Sequence, residues 1–279
     1  MGFFDWFSKE EEVQSVERRE EIVVDFSSFE RVTKYIYEKS GITDLDKRAL
    51  TASRLQNYAK EQGVTTTDAF LKMMQQSDSF YQEVMNIATI NESFFFREKR
   101  ELDWLVGHIK ESSERRVDIL VLPCSTGEEV YSILILLLDA GISLDRVNIR
   151  GYDLNSQAIL NAKKGEYDTH SLHNVTEQQR ASYFRVNENN LYEIESRIKQ
   201  KAAFYQRNIF ELNARDEQYD IVLSRNMFIY FDAKHRAEAL DIIISLLKPN
   251  GYYIKGHADS IVVDEKLVNV AYGIYSKQI

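Results

Sequence analysis

Five short apolar runs, alternating with helical patterns, follow one another from residue 118 onward. The first, residues 118–122, is a nearly continuous run of Ile, Leu and Val, which is typical of a strand buried on both faces in a parallel sheet. Further strands are predicted at 147–153, 203–208, 219–226 and 252–257. Helices are predicted from Glu128 to Leu138 and from about Ala233 to Leu247. This alternation predicts an α/β fold with a mainly parallel sheet.

The first third of the chain carries a helical pattern. Between residues 27 and 91, apolar side chains recur at intervals of three and four, as in Phe29, Val32 and Ile36. Residues 166–200, in contrast, are polar and irregular, which indicates a small insertion. The predicted organisation is a charged N-terminal tail at 1–25, an all-α domain at 26–90, and an α/β domain at 91–279 with an inserted β-subdomain at about 175–202.

The turn after the first strand suggests what the α/β domain binds. Small residues, Cys124 to Gly127, join the strand to a helix that begins with Glu128 and Glu129. A strand, a small-residue turn and a helix N-terminus together form the usual nucleotide site of α/β proteins. However, the turn has one glycine and no GxGxxG motif, and two carboxylates there would repel a pyrophosphate. The pattern therefore favours a nucleoside-type cofactor without phosphates, with S-adenosylmethionine the obvious candidate.

Two further positions have chemistry that fits such a site. Asp153 ends the second predicted strand 26 positions (153 − 127) after Gly127, the spacing of a carboxylate that binds ribose hydroxyls. Arg97 follows three consecutive phenylalanines, at least two of which must be buried. Arg97 then either pairs with an acid of the body within a helix that joins the domains, or lies at the mouth of a pocket and faces an anion.

Composition excludes several classes of function. A net charge of −9 and a pI of about 5.2 argue against nucleic acid as the main partner. A single cysteine excludes an internal disulfide, and neither it nor the dispersed histidines suggest a metal site. No apolar run is long enough to span a membrane and nothing resembles a signal peptide, so a cytoplasmic location is expected.

One part of the helical region departs from the acidic balance. Residues 31–60 hold seven bases and three acids, a local charge of +4 (7 − 3). Lys47, Arg48 and Arg54 are among these bases. They form either an ordinary solvated helix face or a docking face for an acidic partner helix.

Five segments, in this order, resemble the CheR-type chemotaxis receptor methyltransferases. They are NESFFFRE (91–98), CSTGEEVYS (124–132), GYDLN (151–155), SRNMFIYFD (224–232) and LLKPNGYYIKGH (246–257). The overall similarity extends from about Phe26 to Ser260. It implies a Rossmann-like class I S-adenosylmethionine-dependent methyltransferase with a small inserted β-subdomain, preceded by an all-α N-terminal domain.

The resemblance also implies a set of site residues. The expected cofactor ligands are Asn91, Ser93, Arg97, Glu128 or Glu129, Asp153, Asn208, Ile209, Arg225 and Asn226. Within this set Asp153 would bind the ribose, while Asn208 and Ile209 would flank the adenine. Tyr230 would face the transferring methyl group. Arg97 and Tyr230 are expected to orient the acceptor carboxylate, although Arg97 could equally bind the carboxylate of the cofactor.

Three positions depart from the family pattern. Ser93 stands where Thr is frequent, and Ala258-Asp259 follows His257 in place of Ser-Glu; both changes are interpreted as neutral. Residues 185–195 lack the glycine-containing loop with which family members bind a pentapeptide at receptor C-termini. Docking is therefore expected through the helical domain, at Lys47, Arg48 and Arg54, without the pentapeptide tether.

The activity that the resemblance implies is methylation of glutamate side chains in the helical bundle of chemoreceptor cytoplasmic domains. S-Adenosylmethionine would be converted to S-adenosylhomocysteine, without a metal. A glutamate with a pKa near 4.3 is already ionised at neutral pH, so no general base is required. Two alternatives remain open: a non-catalytic module that senses S-adenosylmethionine or its product, and a methyltransferase acting on another protein carboxylate.

Overall fold

The structure of the protein, a computed structural model, describes residues 29–43, 45, 49–215, 217–261 and 264–278. The predicted charged tail at 1–25 lies outside the described residues, and so do Lys47 and Arg48 of the predicted docking face. Among the described residues, no helix is long and apolar enough to cross a membrane.

Four helices form the N-terminal part of the described chain. They are α1 (Phe29–Ser40), α2 (Ala49–Glu61), α3 (Thr67–Gln76) and α4 (Asp78–Ala88). Hydroxyl side chains cap the N-termini of α3 and α4. Thr66 accepts a hydrogen bond from the N–H of Ala69 at 3.2 Å, and Ser77 accepts one from the N–H of Phe80 at 3.2 Å. Such caps satisfy N–H groups that have no partner within the helix. Of the apolar residues at three and four spacing, Val32 and Ile36 are fully buried and Phe29 is partly buried.

Alternating strands and helices make up the remainder. The strands are β1 (Val117–Val121), β2 (Val147–Asp153), β3 (Glu166–Tyr167), β4 (Phe184–Val186), β5 (Tyr192–Ile194), β6 (Ala202–Gln206), β7 (Tyr219–Ser224), β8 (Leu247–Lys255), β9 (Leu267–Ala271) and β10 (Ile274–Lys277). The helices are α5 (Lys99–Glu111), α6 (Glu128–Asp139), α7 (Ser156–Lys164), α8 (Glu177–Tyr183), α9 (Ser196–Lys199) and α10 (Ala233–Leu246).

Within the described ranges, seven strands form the central sheet in the order β6-β2-β1-β7-β8-β10-β9. The first five are parallel, and β10 and β9 close the sheet in antiparallel pairing. Strand β1 is central and contributes to two cores. Ile119 and Val121 pack with α5 and α6, while Leu120 and Leu122 pack with α10 and the N-terminal helices. Burial on both faces explains the continuous apolar run that predicted this strand.

The small second sheet has the strand order β3-β5-β4 and lies between α7 and β6 along the chain. Its first strand, Glu166–Tyr167, lies upstream of the 175–202 predicted for the inserted subdomain. A strand of two residues leaves no alternation in the sequence, so the pattern could not reveal it. The division of the chain into domains stays a prediction.

The last predicted strand begins earlier than expected. It was predicted at 252–257, but β8 begins at Leu247 and includes the Lys-Pro-Asn-Gly sequence of residues 248–251. The pairing of β8 with β7 shifts register there, and Asn250 adopts a left-handed conformation with φ of 61°. The Lys248 ammonium holds this end of the strand, since it donates to Asp118 at 2.8 Å and to Asp220 at 2.9 Å. The turn-forming residues therefore mark an irregularity within a strand.

Helix α4 is joined to the loop after β2 by neutral polar groups. The Gln82 amide donates to the Leu154 carbonyl at 3.0 Å, and the Asn86 oxygen accepts from the Ser156 N–H at 2.9 Å. The Asn155 amide donates to the Thr89 hydroxyl at 2.8 Å. These bonds fix the C-terminal end of α4 beside the carboxyl end of β2.

A second set of bonds attaches the end of α1 and the segment after it. The Asn208 amide donates to the Lys39 carbonyl at 2.9 Å, and the Thr43 N–H donates to the Tyr230 carbonyl at 2.9 Å. The Tyr37 hydroxyl donates to Asp232 at 2.7 Å. The N-terminal helices are thus held against the sheet at the edge where the parallel strands end.

Candidate active site

A cavity of about 290 Å³ lies at the carboxyl ends of the parallel strands, where open α/β sheets bind ligands. The residues that follow β1, β2, β6 and β7 form its floor and walls, and the connection between α4 and α5 passes across it. The predicted site residues that line it are Asn91, Ser93, Arg97, Glu129, Asp153, Asn208, Ile209, Arg225, Asn226 and Tyr230. The fold therefore brings together residues separated by up to 139 positions (230 − 91) of the chain.

Asp153 ends β2 with its carboxylate 4% exposed in the cavity wall. Its oxygens accept hydrogen bonds from the N–H groups of Ser125 at 2.8 Å and Asn155 at 2.9 Å. Burial raises the pKa of Asp153 to about 6, and these N–H groups limit the rise because they stabilise the ionised form. A carboxylate has about four lone-pair sites, so it can still accept from the vicinal hydroxyls of a ribose.

The two glutamates that begin α6 have different surroundings. Glu129 lines the cavity, and its Oε1 is buried without a hydrogen-bond partner among the described residues. Glu128 is 2% exposed and does not belong to the cavity lining. One of its oxygens accepts from the Thr126 hydroxyl at 2.7 Å, and the other, Oε2, is likewise buried without a partner among the described residues. Burial raises the pKa of Glu128 to about 7 and also raises the pKa of Glu129, which Arg225 partly offsets. Of the pair left open by the sequence, the structure thus places Glu129 at the cavity.

Arg225 is the most heavily bonded side chain of the wall and is 1% exposed. Its guanidinium donates to Glu129 at 2.8 Å, to Glu98 at 3.2 Å and to the Arg97 carbonyl at 2.5 Å. Burial tends to raise the pKa of Glu98, but Arg225 and the N–H of His257 hold that pKa below its ordinary value. Because its N–H donors are used inside the protein, Arg225 holds other residues in place. Its main partner is Glu98, a residue to which the sequence assigned no role.

Asp259 is a second residue that sequence reasoning missed, because its replacement of the usual Glu was interpreted as neutral. Its carboxylate is 3% exposed and accepts from the N–H groups of Asn226 at 2.6 Å, Phe228 at 2.9 Å and Gly256 at 3.2 Å. Asn226 adopts a left-handed conformation with φ of 59°. Asp259 thus fixes the backbone of the loop that carries Asn226 and leads to Tyr230.

Gly256 is required by the close approach of two backbone segments at this loop. A Cβ atom there would lie 2.7 Å from the backbone nitrogen of Asn226 and 2.8 Å from the Asp259 carboxylate. No side chain fits without displacing the loop. This steric limit explains the glycine in the last of the five resembling segments.

Arg97 lies half-buried in the cavity lining, in a non-helical segment that precedes α5. Its guanidinium donates to the Glu92 carbonyl at 3.2 Å and lies 5.6 Å from the centre of the Phe94 ring. Within the described ranges no carboxylate forms an ion pair with it. Of the two alternatives, the joining helix with an ion-paired Arg97 is therefore wrong. As predicted, two of the phenylalanines, Phe95 and Phe96, are buried.

The remaining predicted residues lie around the cavity as follows. Asn91 and Ser93 belong to the same connection as Arg97, on the side of the N-terminal helices. Ile209 is buried behind Asn208, whose amide is partly used by the Lys39 carbonyl. Tyr230 ends a 3-10 turn, Phe228–Tyr230, between β7 and α10.

A possible metal-binding group occurs next to the cavity. Ligand atoms of Glu98, Glu101 and His257 lie within 4.8 Å of one another. Glu98 already binds the guanidinium of Arg225, and Glu101 accepts from Arg100 at 3.3 Å. Because these protein cations are already in place, the arrangement offers little to a metal ion.

The arrangement defines a class of protein. An open, mainly parallel sheet, a small-residue turn after β1 and a buried acid at the end of β2 are the features of a class I S-adenosylmethionine-dependent methyltransferase. The orphan oxygen of Glu129 and the spare lone pairs of Asp153 fit the amine and hydroxyl donors of that cofactor. This fold was predicted from the sequence and is confirmed.

Comparison with known proteins agrees with this assignment to the methyltransferases. The family model for the CheR methyltransferase S-adenosylmethionine-binding domain matches residues 91–274. A chemotaxis protein methyltransferase of Campylobacter jejuni (strain 81-176) is 34% identical over 229 residues, covering 82% of this chain and 86% of that protein. The Escherichia coli K12 protein of the same name is 31% identical over 252 residues, covering 86% and 87%. The chain belongs to the CheR methyltransferase family, which confirms the resemblance.

The two glutamates of α6 provide a matched pair of variants. We expect Glu129→Gln to weaken the binding of S-adenosylhomocysteine by about tenfold or more, because it removes the charge that faces both Arg225 and the cavity. Glu128→Gln should change affinity less than about twofold, since its carboxyl lies outside the cavity lining and, with a pKa of about 7, is already half neutral at pH 7. Calorimetric titration checks both. Equal losses would contradict the placement of Glu129.

Asp153 should make cofactor binding depend on pH. Its carboxyl, with a pKa of about 6 in the free protein, becomes protonated below that pH and then accepts hydrogen bonds less well. The dissociation constant of S-adenosylhomocysteine is expected to rise about tenfold between pH 7 and pH 5. Asp153→Asn should bind more weakly at neutral pH and lose most of this dependence. Titrations at several pH values measure this dependence, and they are made in the Glu128→Gln background so that Glu128 does not titrate. An equal pH dependence with and without the Asp153→Asn change would refute the assignment to Asp153.

Proposed function

We propose that this chain is a protein-glutamate O-methyltransferase that acts on chemoreceptor cytoplasmic domains and contributes to chemotactic adaptation. The observation that carries the proposal is the similarity to chemotaxis protein methyltransferases over most of the length of both proteins. It includes the N-terminal helices as well as the methyltransferase part. A substrate of this kind places the enzyme in the cytoplasm. The family membership favours catalysis over a non-catalytic sensor of S-adenosylmethionine.

The cofactor is proposed to lie along the carboxyl ends of β1 and β2. Asp153 would accept the ribose hydroxyls, and Asn208 and Ile209 would flank the adenine. Arg97, Asn91 and Ser93 would bind the amino-acid end from the α4–α5 connection. Glu129 supplies an acceptor for its amine, while Arg225 and Asn226 close the wall behind it. The support is that these side chains line one cavity.

When bound, S-adenosylmethionine supplies a methyl group on a positively charged sulfur, and its transfer leaves S-adenosylhomocysteine and a glutamate methyl ester. No side chain has to remove a proton, because the acceptor glutamate is ionised at neutral pH. This agrees with a cavity lining that, in the described part of the chain, contains no histidine. The task of the protein is positioning and removal of water, effects that can contribute about 7–11 kcal/mol.

Arg97 and Tyr230 are proposed to place the acceptor carboxylate. Both line the cavity, and Arg97 has no ion pair with a described carboxylate, so its charge is available to an anion. The backbone that carries Tyr230 is held by Thr43 and by the bonds of Asp259 to the loop before it. A fixed tyrosine and a cation at the cavity can orient a carboxylate with little loss of entropy.

The decisive experiment is methyl transfer. Purified protein, incubated with S-adenosylmethionine labelled in its methyl group and chemoreceptor cytoplasmic fragments from the source organism, should label the receptor. The label should be released by base, as expected for a methyl ester, and should fall when the labelled glutamate is changed to glutamine. Base-stable label, or binding of S-adenosylhomocysteine without any transfer, would refute the proposal.

The receptor is proposed to dock on the helical region. Arg54 is exposed on α2, whereas Lys47 and Arg48 lie outside the described residues. A tether is not expected, because the connection between β4 and β5 is a compact turn closed by the Asn187 side chain. That side chain accepts from the N–H groups of Asn189 at 2.9 Å and Leu191 at 3.0 Å. This leaves Arg54, with Lys47 and Arg48 before it in the sequence, to attract an acidic bundle.

Charge reversal on α2 tests this docking. Arg54→Glu is expected to raise the KM for the receptor by about tenfold and to leave cofactor affinity unchanged, since it replaces attraction by repulsion. Lys60→Glu, on another face of the same helix and also exposed, should have a much smaller effect. Receptor fragments with and without their last five residues should be methylated equally. An equal rise in the KM for the receptor in both variants would contradict docking at Arg54, because the change would then follow from net charge alone.

A further inference from the structure

Two isoleucines lie at the mouth of the cavity. Ile90 is 49% exposed and Ile229 is 44% exposed, and both belong to the cavity lining. Ile90 comes from the connection after α4, whereas Ile229 comes from the 3-10 turn after β7. Neither was assigned a role by the sequence. We call this pair the apolar rim.

Exposed apolar side chains are common and usually have no function. Leu160 on α7, for example, is 52% exposed and does not line the cavity. The apolar rim differs because it borders the opening through which an acceptor carboxylate must enter. It therefore lies where the neighbours of that carboxylate must make contact.

The backbone of both rim residues is held in place. On one side of Ile229, the Phe228 N–H donates to Asp259 at 2.9 Å and its carbonyl accepts from Arg236 at 3.0 Å. On the other side, the Tyr230 carbonyl accepts from the N–H of Thr43 at 2.9 Å and from its hydroxyl at 3.0 Å.

Ile90 directly follows Thr89, which caps the end of α4. The Thr89 N–H donates to the Met85 carbonyl at 3.1 Å, and its hydroxyl accepts from Asn155 at 2.8 Å. Both isoleucines are thus presented to solvent on a fixed backbone. A contact surface that is already ordered loses little entropy when a partner covers it.

We propose that Ile90 and Ile229 contact apolar side chains one helical turn before and after the target glutamate, and so select the glutamates that are methylated. The partner is a helix of the substrate protein, because residues three and four positions from the glutamate lie on its face, about 5–6 Å away. Arg97 inside the cavity attracts the acidic side chain, while the rim disfavours helices with charged residues at those flanking positions. This inference rests on the proposed function and names the local substrate of the same site.

The test measures methyl transfer to a receptor fragment with Ile90→Ser, Ile229→Ser and the control Leu160→Ser. Each rim variant should raise the KM for the receptor about tenfold, which corresponds to about 1.4 kcal/mol, with kcat changed less than about twofold. Leu160→Ser should match the wild type. Calorimetry with S-adenosylhomocysteine should give the same affinity for all four proteins, which shows that the fold and cofactor site are intact.

A second arm uses a receptor fragment in which the apolar residues one turn from the methylated glutamate are changed to serine. The KM of the wild-type enzyme should rise about a hundredfold on this fragment, because both contacts are lost. The KM of the Ile90→Ser/Ile229→Ser double variant should change much less, because both contacts are already absent. If the wild type labels the receptor but the rim variants behave like Leu160→Ser, the apolar rim is overturned and the proposed function stands. If the wild type transfers no methyl group, the proposed function itself fails, and the rim proposal with it.

Discussion

The buried guanidinium of Arg225 is the charge on which the cavity wall depends. Removing such a charge from water costs several kcal/mol unless anionic and polar partners surround it, and here Glu98, Glu129 and two carbonyls do so. These partners come from two distant segments, the α4–α5 connection and the start of α6, so the ion pairs fix the approach of both segments to the end of β7. Phe96, Glu98, Ser125 and Asn226 all have positive φ, a conformation that costs an ordinary residue about 1–3 kcal/mol. Arg225 binds Glu98 and Asp259 binds the N–H of Asn226, while the N–H groups of Phe96 and Ser125 donate to Ser132 and Asp153, so each strained position is held by a hydrogen bond.

The sequence predicted most of the fold and the positions that follow the strands. Strand β1 and Asp153 were visible because apolar runs and strand-to-strand spacing are local signals. Glu129 could not be separated from Glu128, since adjacent residues on a helix differ only in the direction that packing gives them. Glu98 and Asp259 remained hidden for another reason. Their partners, Arg225 and the N–H groups of Asn226 and Phe228, lie 127, 33 and 31 positions away, and a carboxylate that binds backbone leaves no pattern.

The N-terminal helices contribute directly to the cavity. Ser40 at the end of α1, Ile42 just after it, and Ala88 and Thr89 at the end of α4 line it together with the residues of the sheet. An isolated bridge between Ile42 and Phe231 joins the segment after α1 to the segment that follows the 3-10 turn. The helical region therefore completes the cavity. Arg54, at which the receptor is proposed to dock, is part of the same packed unit, so docking there and methyl transfer would take place on one continuous structure.

The bonds that attach α4 to the loop after β2 are made by amides, hydroxyls and carbonyls, and no ion pair between described residues joins 29–90 to the later chain. Neutral hydrogen bonds respond weakly to dissolved ions, whereas attraction between exposed charges is screened beyond about 8 Å at physiological ionic strength. Rising salt should therefore weaken the proposed docking of the receptor at Arg54 well before it loosens the cavity. At high ionic strength the protein would then lose the receptor and still bind its cofactor, so salt would distinguish the docking step from the integrity of the cofactor site.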